Sequence, residues 1–112
     1  MPRRKQVYKI TYPNGKIYVG CDLLGIGNLT YFGSPSVFVK ARIAAENEAH
    51  RLDFKVRKEI LWESETASDA EVRALEMKLI RETGANNPEI GYNRAPRYVP
   101  PIQSVSDWDA SN

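Results

Sequence analysis

Asn14-Gly15 stands between two apolar-rich runs, Val7-Tyr8-Lys9-Ile10-Thr11-Tyr12 and Lys16-Ile17-Tyr18-Val19-Gly20. Both turn residues tolerate the positive φ that a tight reversal demands, so the stretch reads as a hairpin with strands over 7–12 and 16–20. Regular alternation sends Tyr8 and Tyr12 to one face. The rest of the chain is organised around this hairpin.

After it comes a glycine-broken loop over 21–29 and then a helix start, with Ser34 capping ahead of Pro35 or Ser36 capping one residue later. The helix is expected from Ser36 to about Glu48. On a wheel stepped at 100°, Val37, Phe38, Ala41, Ala44 and Ala45 share one stripe. Val39 and Ile43 sit away from it, which suggests a second buried face. Arg42 falls beside Phe38 and Ala45, and Lys40 beyond the other edge. Asp53 to Trp62 reads as a third strand, with Phe54, Val56, Ile60 and Trp62 inward and Lys55, Arg57, Lys58 and Glu59 on a wet face. Ser68 and Glu71 form a capping box for a second helix that runs to about Thr83 and stops at Gly84. Its apolar stripe is Val72, Leu75, Leu79 and Ile80. Glu76 lies inside that stripe, where a carboxylate must pair (Arg73 at i−3 is within reach), bind a cation or become protonated. Residues 86–93 are turn-rich. Residues 1–5 form a basic arm, and the Pro-rich stretch 95–112 reads as an extended or disordered tail.

At 112 residues the chain has room for one domain. Cys21 and His50 stand alone in their kinds, which rules out an intramolecular disulfide, weighs against structural zinc and makes a reducing compartment the default. No apolar run suits a membrane span, and the basic start lacks a signal peptide's apolar stretch. Charge is uneven: residues 1–62 carry 11 Lys/Arg against 5 Asp/Glu, and residues 63–112 carry 5 against 9. A basic half suits a polyanionic partner, with Lys9, Lys16 and Lys40 as candidate nucleic-acid contacts.

Taken in order, these features resemble the GIY-YIG nuclease domain. Gln6-Val7-Tyr8 stands for the family's first motif, Tyr18-Val19-Gly20 for its second, and Asn14-Gly15-Lys16 for the turn between them. Phe32-Gly33-Ser34 precedes the basic helix, Glu76 takes the acidic helix position, and Gly91-Tyr92-Asn93 closes the domain. The resemblance covers roughly residues 6–94. It implies an α+β fold, a small three-stranded antiparallel sheet flanked by helices, and metal-dependent endonucleolytic hydrolysis of DNA phosphodiester bonds.

By the same resemblance Tyr8 positions or deprotonates the attacking water with Tyr18 beside it, Arg42 holds a phosphate oxygen, Glu76 binds Mg²⁺ or Mn²⁺, and Asn93 braces the site. Gln6 replaces the family's glycine. Aligning on Ile43 selects Arg42 as the helix cation, whereas aligning on Ala41 selects Lys40. Glu46 occupies a position where many members place a histidine, and His50, two turns on, is the second choice for that role. The family further implies a cytoplasmic protein of bacterial or phage origin that works on DNA as a homodimer or with a partner supplying specificity. The alternatives are a catalytically weak or inactive DNA-binding module of the same fold, and a protein-interaction domain docking through Val99-Pro100-Pro101-Ile102.

Overall fold

The computed structural model describes residues 3–25 and 31–101. Part of the expected 21–29 loop, the first two residues of the basic arm and tail residues 102–112 lie outside the described residues. The element order is β1 (Lys5–Thr11), β2 (Ile17–Asp22), α1 (Val37–Glu46), a 3-10 turn (Glu48–Asp53), β3 (Arg57–Ser64) and α2 (Asp69–Thr83). The three strands form one antiparallel sheet in the order β2-β1-β3, so the fold is the expected α+β arrangement.

The hairpin forms as its turn residues require. Gly15 takes φ +88°, and its N–H donates to the Tyr12 carbonyl at 2.8 Å. Asn14 ties the turn to the rest of the domain: its N–H donates to Asn47 Oδ1 at 3.0 Å and its amide nitrogen to the Tyr92 hydroxyl at 2.8 Å. The sheet separates two apolar clusters. On one face Val7 and Val19 meet Val72 and Ile80 of α2. On the other, Tyr12 and Tyr18 pack with Val39, Ile43 and Tyr92. Alternation along the strands assigns these faces, and Tyr8 and Tyr12 do share one.

Two expectations are corrected. In α1 the buried residues are Val39 and Ile43, while Val37 and Phe38 are 78% and 79% exposed. Val39 and Ile43 are four apart and therefore stack on one face; with Asn47, also buried, they form the stripe that meets the tyrosines. The stripe of Val37, Phe38 and three alanines faces away, so only one face is buried. Ser36 is the cap, accepting from the Val39 N–H at 3.3 Å.

The third strand begins at Arg57, later than expected, because residues 48–53 close a 3-10 turn that carries His50. Its inward set is also divided. Val7 pairs with Trp62 but Tyr8 pairs with Ile60, so Leu61 is an extra residue in a bulge. Directly paired residues share a face, which sends Trp62 to the Val7 cluster and Ile60 to the Tyr8 face. The capping box of α2 and its Gly84 end form as read. Among the described residues no helix is long and apolar enough to cross a membrane.

Candidate active-site cleft

The outer edge of β2 is where the site is built. A strand edge exposes unpaired backbone groups, and here the returning segment after α2 covers them. Ile17 donates to the Ile90 carbonyl at 3.1 Å and accepts from the Tyr92 N–H at 2.9 Å. One step further along β2, a side chain replaces the backbone. Asn93 Oδ1 accepts from the Val19 N–H at 2.8 Å, and Asn93 Nδ2 donates to the Val19 carbonyl at 2.7 Å. An amide side chain carries one acceptor and one donor group, so it can satisfy both orphan groups of a strand residue at once.

Beyond that clamp the edge opens into a cleft of about 440 Å³, lined among others by Tyr18, Ser34, Glu76, Asn93 and Arg94. Glu76 reaches it from α2, Ser34 from the approach to α1, and Arg94 from the returning segment. Three of the five expected catalytic residues, Tyr18, Glu76 and Asn93, therefore share one cleft. Glu76 makes no ion pair among the described residues, so the pairing with Arg73 does not form. The Cys21 thiol lies near enough to feel its charge: burial, and then the Glu76 carboxylate, push that thiol up to about 12.

Tyr8 is 1% exposed and is not among the residues that line the cleft. Its hydroxyl is held between two glycines. A Cβ at Gly20 would stand 2.5 Å from the Tyr8 hydroxyl, and one at Gly33 would stand 2.8 Å from the same atom and 3.0 Å from Tyr18 Cε2. Gly33 also has φ +89°, a conformation that L side chains rarely adopt. The Phe32-Gly33-Ser34 stretch thus carries the close approach that brings the chain before α1 onto both phenols. Tyr31 packs edge-on against Tyr8 with ring centroids 5.9 Å apart, and Lys58 Nζ sits 4.7 Å from the Tyr8 ring centroid. Burial pushes both the Tyr8 and Tyr18 phenols up, and the Glu76 charge adds to the rise in each. In the chain by itself both tyrosines hold their protons.

Arg42 stands apart from this cleft. It donates through Nε to Glu46 Oε2 at 2.9 Å and through Nη2 to the Pro88 carbonyl at 2.6 Å, and its guanidinium lies 5.0 Å from the Tyr92 ring centroid. It lines a neighbouring cleft of about 380 Å³ with Phe38, Val39 and Arg94. Glu46 also accepts from Lys16 Nζ at 2.8 Å and from the Tyr92 hydroxyl at 2.9 Å. These contacts, Lys16 first, hold the Glu46 carboxyl down to about 2. The position where the family resemblance expects a histidine is thus the hub of an ion cluster.

The other candidates are scattered. Lys9 is paired with Glu59 at 3.3 Å and Lys16 with Glu46. Lys40 is exposed on α1, and His50 is exposed in the 3-10 turn. Neither is among the residues lining the cleft that holds Glu76.

Sequence reasoning missed Arg94. It lines both clefts and makes no ion pair among the described residues. The signal was available: it directly follows Gly91-Tyr92-Asn93, whose backbone and side chain pin the segment to β2.

As to a metal, no group of three His, Cys, Asp or Glu side chains gathers among the described residues. A single carboxylate is nevertheless a fitting donor for Mg²⁺, which keeps several waters and is commonly held by one or two carboxylates plus substrate phosphate. Glu76, half-buried, in an open cleft and without an ion pair among the described residues, suits that mode. Compared with known proteins, the chain matches no family model, no curated protein and no solved structure.

Proposed function

We propose that the chain is a metal-dependent endonuclease of GIY-YIG type, hydrolysing DNA phosphodiester bonds in the cleft along the β2 edge. The observation that supports this most is the convergence of Tyr18, Glu76 and Asn93 on one cleft, with the buried Tyr8 hydroxyl packed against Gly20 and Gly33, the chain neighbours of lining residues Val19 and Ser34. Those residues are separated by up to 85 positions in sequence, from Tyr8 to Asn93. A purely structural set of strand tyrosines has no need of a carboxylate beside it that makes no ion pair among the described residues.

The division of labour follows from the chemistry. Phosphodiester hydrolysis needs an oriented water, neutralisation of the charge that builds on phosphorus-bound oxygens, and stabilisation of the leaving oxygen. Tyr8 and Tyr18 keep their protons in the resting chain, so Tyr18, which lines the cleft, would orient the water and donate a hydrogen bond, while the buried Tyr8 supports the strand and loop that carry the site. Asn93 contributes rigidity, fixing the β2 edge that carries Tyr18. Glu76 would hold Mg²⁺ or Mn²⁺. Such an ion supplies Lewis-acid stabilisation of the phosphate and lowers the proton affinity of nearby water. DNA is the proposed substrate, with specificity supplied by a second copy or a partner.

The experiment is plasmid nicking with Mg²⁺ or Mn²⁺ by wild type and Glu76→Ala. Cutting by wild type that is lost in the variant supports the reading, and plasmid left intact by wild type overturns it. A second reading, a DNA-binding module of the same fold that does not cut, is favoured by one observation: Arg42 is engaged by Glu46, Pro88 and Tyr92. It predicts salt-dependent DNA binding without nicking.

A further inference from the structure

The two clefts meet at Arg94 and Val39, which line both. The second cleft has an unusual occupant: Phe38, an aromatic side chain 79% exposed, beside two guanidinium groups, those of Arg42 and Arg94. An aromatic face in a basic groove is how sequence-tolerant single-strand binders hold nucleic acid: cations track the backbone and bases stack on rings. Arg42 is already charge-paired, its Nε donating to Glu46 and its Nη2 to the Pro88 carbonyl, so Arg94 is the better placed anion-holding charge in this groove. Arg94 makes no ion pair among the described residues and stands at the junction.

We infer that the cleft of Phe38, Val39, Arg42 and Arg94 is a nucleotide subsite that takes an unstacked base next to the scissile phosphate, with Phe38 as the stacking platform and Arg94 as the phosphate contact. At about 380 Å³ the space lies within the ordinary range for small-ligand clefts. The inference rests on the phosphodiesterase reading and extends it by naming the substrate class, a strand whose base is free to leave the stack. A regular duplex keeps its bases stacked, so single-stranded or locally opened DNA is the preferred form.

The test is binding by the full chain in EDTA, where no cutting occurs, of a single-stranded oligonucleotide carrying 2-aminopurine and of the matching duplex. Wild type is expected to quench the single strand's fluorescence and to bind it more tightly than the duplex. Phe38→Ala is expected to lose the quenching and about tenfold in affinity, in line with the usual worth of base–aromatic stacking. Val37→Ala, equally exposed but outside the cleft lining, is the control and should match wild type. Arg94→Ala should flatten the salt dependence by the contribution of roughly one phosphate, a slope change of about 0.7 for single strands.

Quenching and affinity in Phe38→Ala equal to those of Val37→Ala would overturn the subsite. So would an unchanged salt slope in Arg94→Ala, or absence of single-strand binding by wild type. Nicking assays run in parallel separate the two claims. A chain that quenches through Phe38 yet cuts nothing keeps the subsite and loses the nuclease reading. A chain that cuts while both variants bind like wild type keeps the nuclease reading and loses the subsite.

Discussion

Replacing Asn93 by alanine removes both hydrogen bonds that seal Val19 at the β2 edge, at 2.8 and 2.7 Å. Each bond contributes about 1 kcal/mol net, and a buried backbone group left unpaired costs about 1–3 kcal/mol. Val19 is 1% exposed, but the open cleft beside it lets water reach part of the vacated space. The lower part of the range therefore applies, and Asn93→Ala is expected to destabilise the protein by about 2–4 kcal/mol. For a domain of this size that corresponds to a fall in melting temperature of roughly 10 °C or more. Urea unfolding gives the free energy, and hydrogen exchange at the Val19 amide localises it. The variant's Val19 amide should exchange faster than those of the central strand β1. A change below about 0.5 kcal/mol, within the range of ordinary surface substitutions, with Val19 as protected as in wild type, would refute the clamp.

Three further outcomes follow from the same geometry. Glu46 is held down to about 2 from an ordinary 4.5, so its stabilisation is complete above pH 4.5 and fades as pH falls toward 2. The carboxylate's side chain is 30% exposed, and screening reduces the contribution to about 1 kcal/mol. The stability gap between wild type and Glu46→Gln in urea should therefore close between pH 4.5 and pH 2; a gap independent of pH would contradict the ion cluster. Tyr92→Phe removes the hydroxyl that accepts from Asn14 and donates to Glu46. It should cost about 1–3 kcal/mol by thermal unfolding, and a neutral effect would argue against the network. Gly33→Ala meets both phenols and forces an unfavourable φ, so a loss of at least about 1–2 kcal/mol and an altered near-ultraviolet tyrosine signal are expected. An unchanged spectrum would mean the close approach does not hold in solution.

The elements with local causes were legible in the sequence. The Asn14-Gly15 turn, the Ser68–Glu71 capping box and the Gly84 stop each act within a few residues, and each formed as read. Elements decided by tertiary contact were not. Which stripe of α1 is buried depends on where the tyrosine face lies, and Val39 and Ile43 won that contact although three alanines stand on the other stripe. The Leu61 bulge is set by pairing with β1, and no periodicity within β3 announces it. At the site, Tyr18, Glu76 and Asn93 were recognisable by type and order. The commitment of Arg42 was legible only in half: Glu46 stands four residues on, at the spacing that pairs on a helix, whereas the Pro88 carbonyl reaches it only in the fold, and Arg94 emerged only once the returning segment was placed against β2.

The central claim is that the β2-edge cleft hydrolyses DNA through a cation held by Glu76. Supercoiled plasmid incubated with Mg²⁺ or Mn²⁺ tests it most directly, using wild type, Glu76→Ala and Glu76→Gln. The account predicts conversion to nicked or linear DNA by wild type, loss of that conversion in both variants, and no cutting by any of them in EDTA. Equal cutting by Glu76→Ala, or intact plasmid from wild type with either ion, would contradict it.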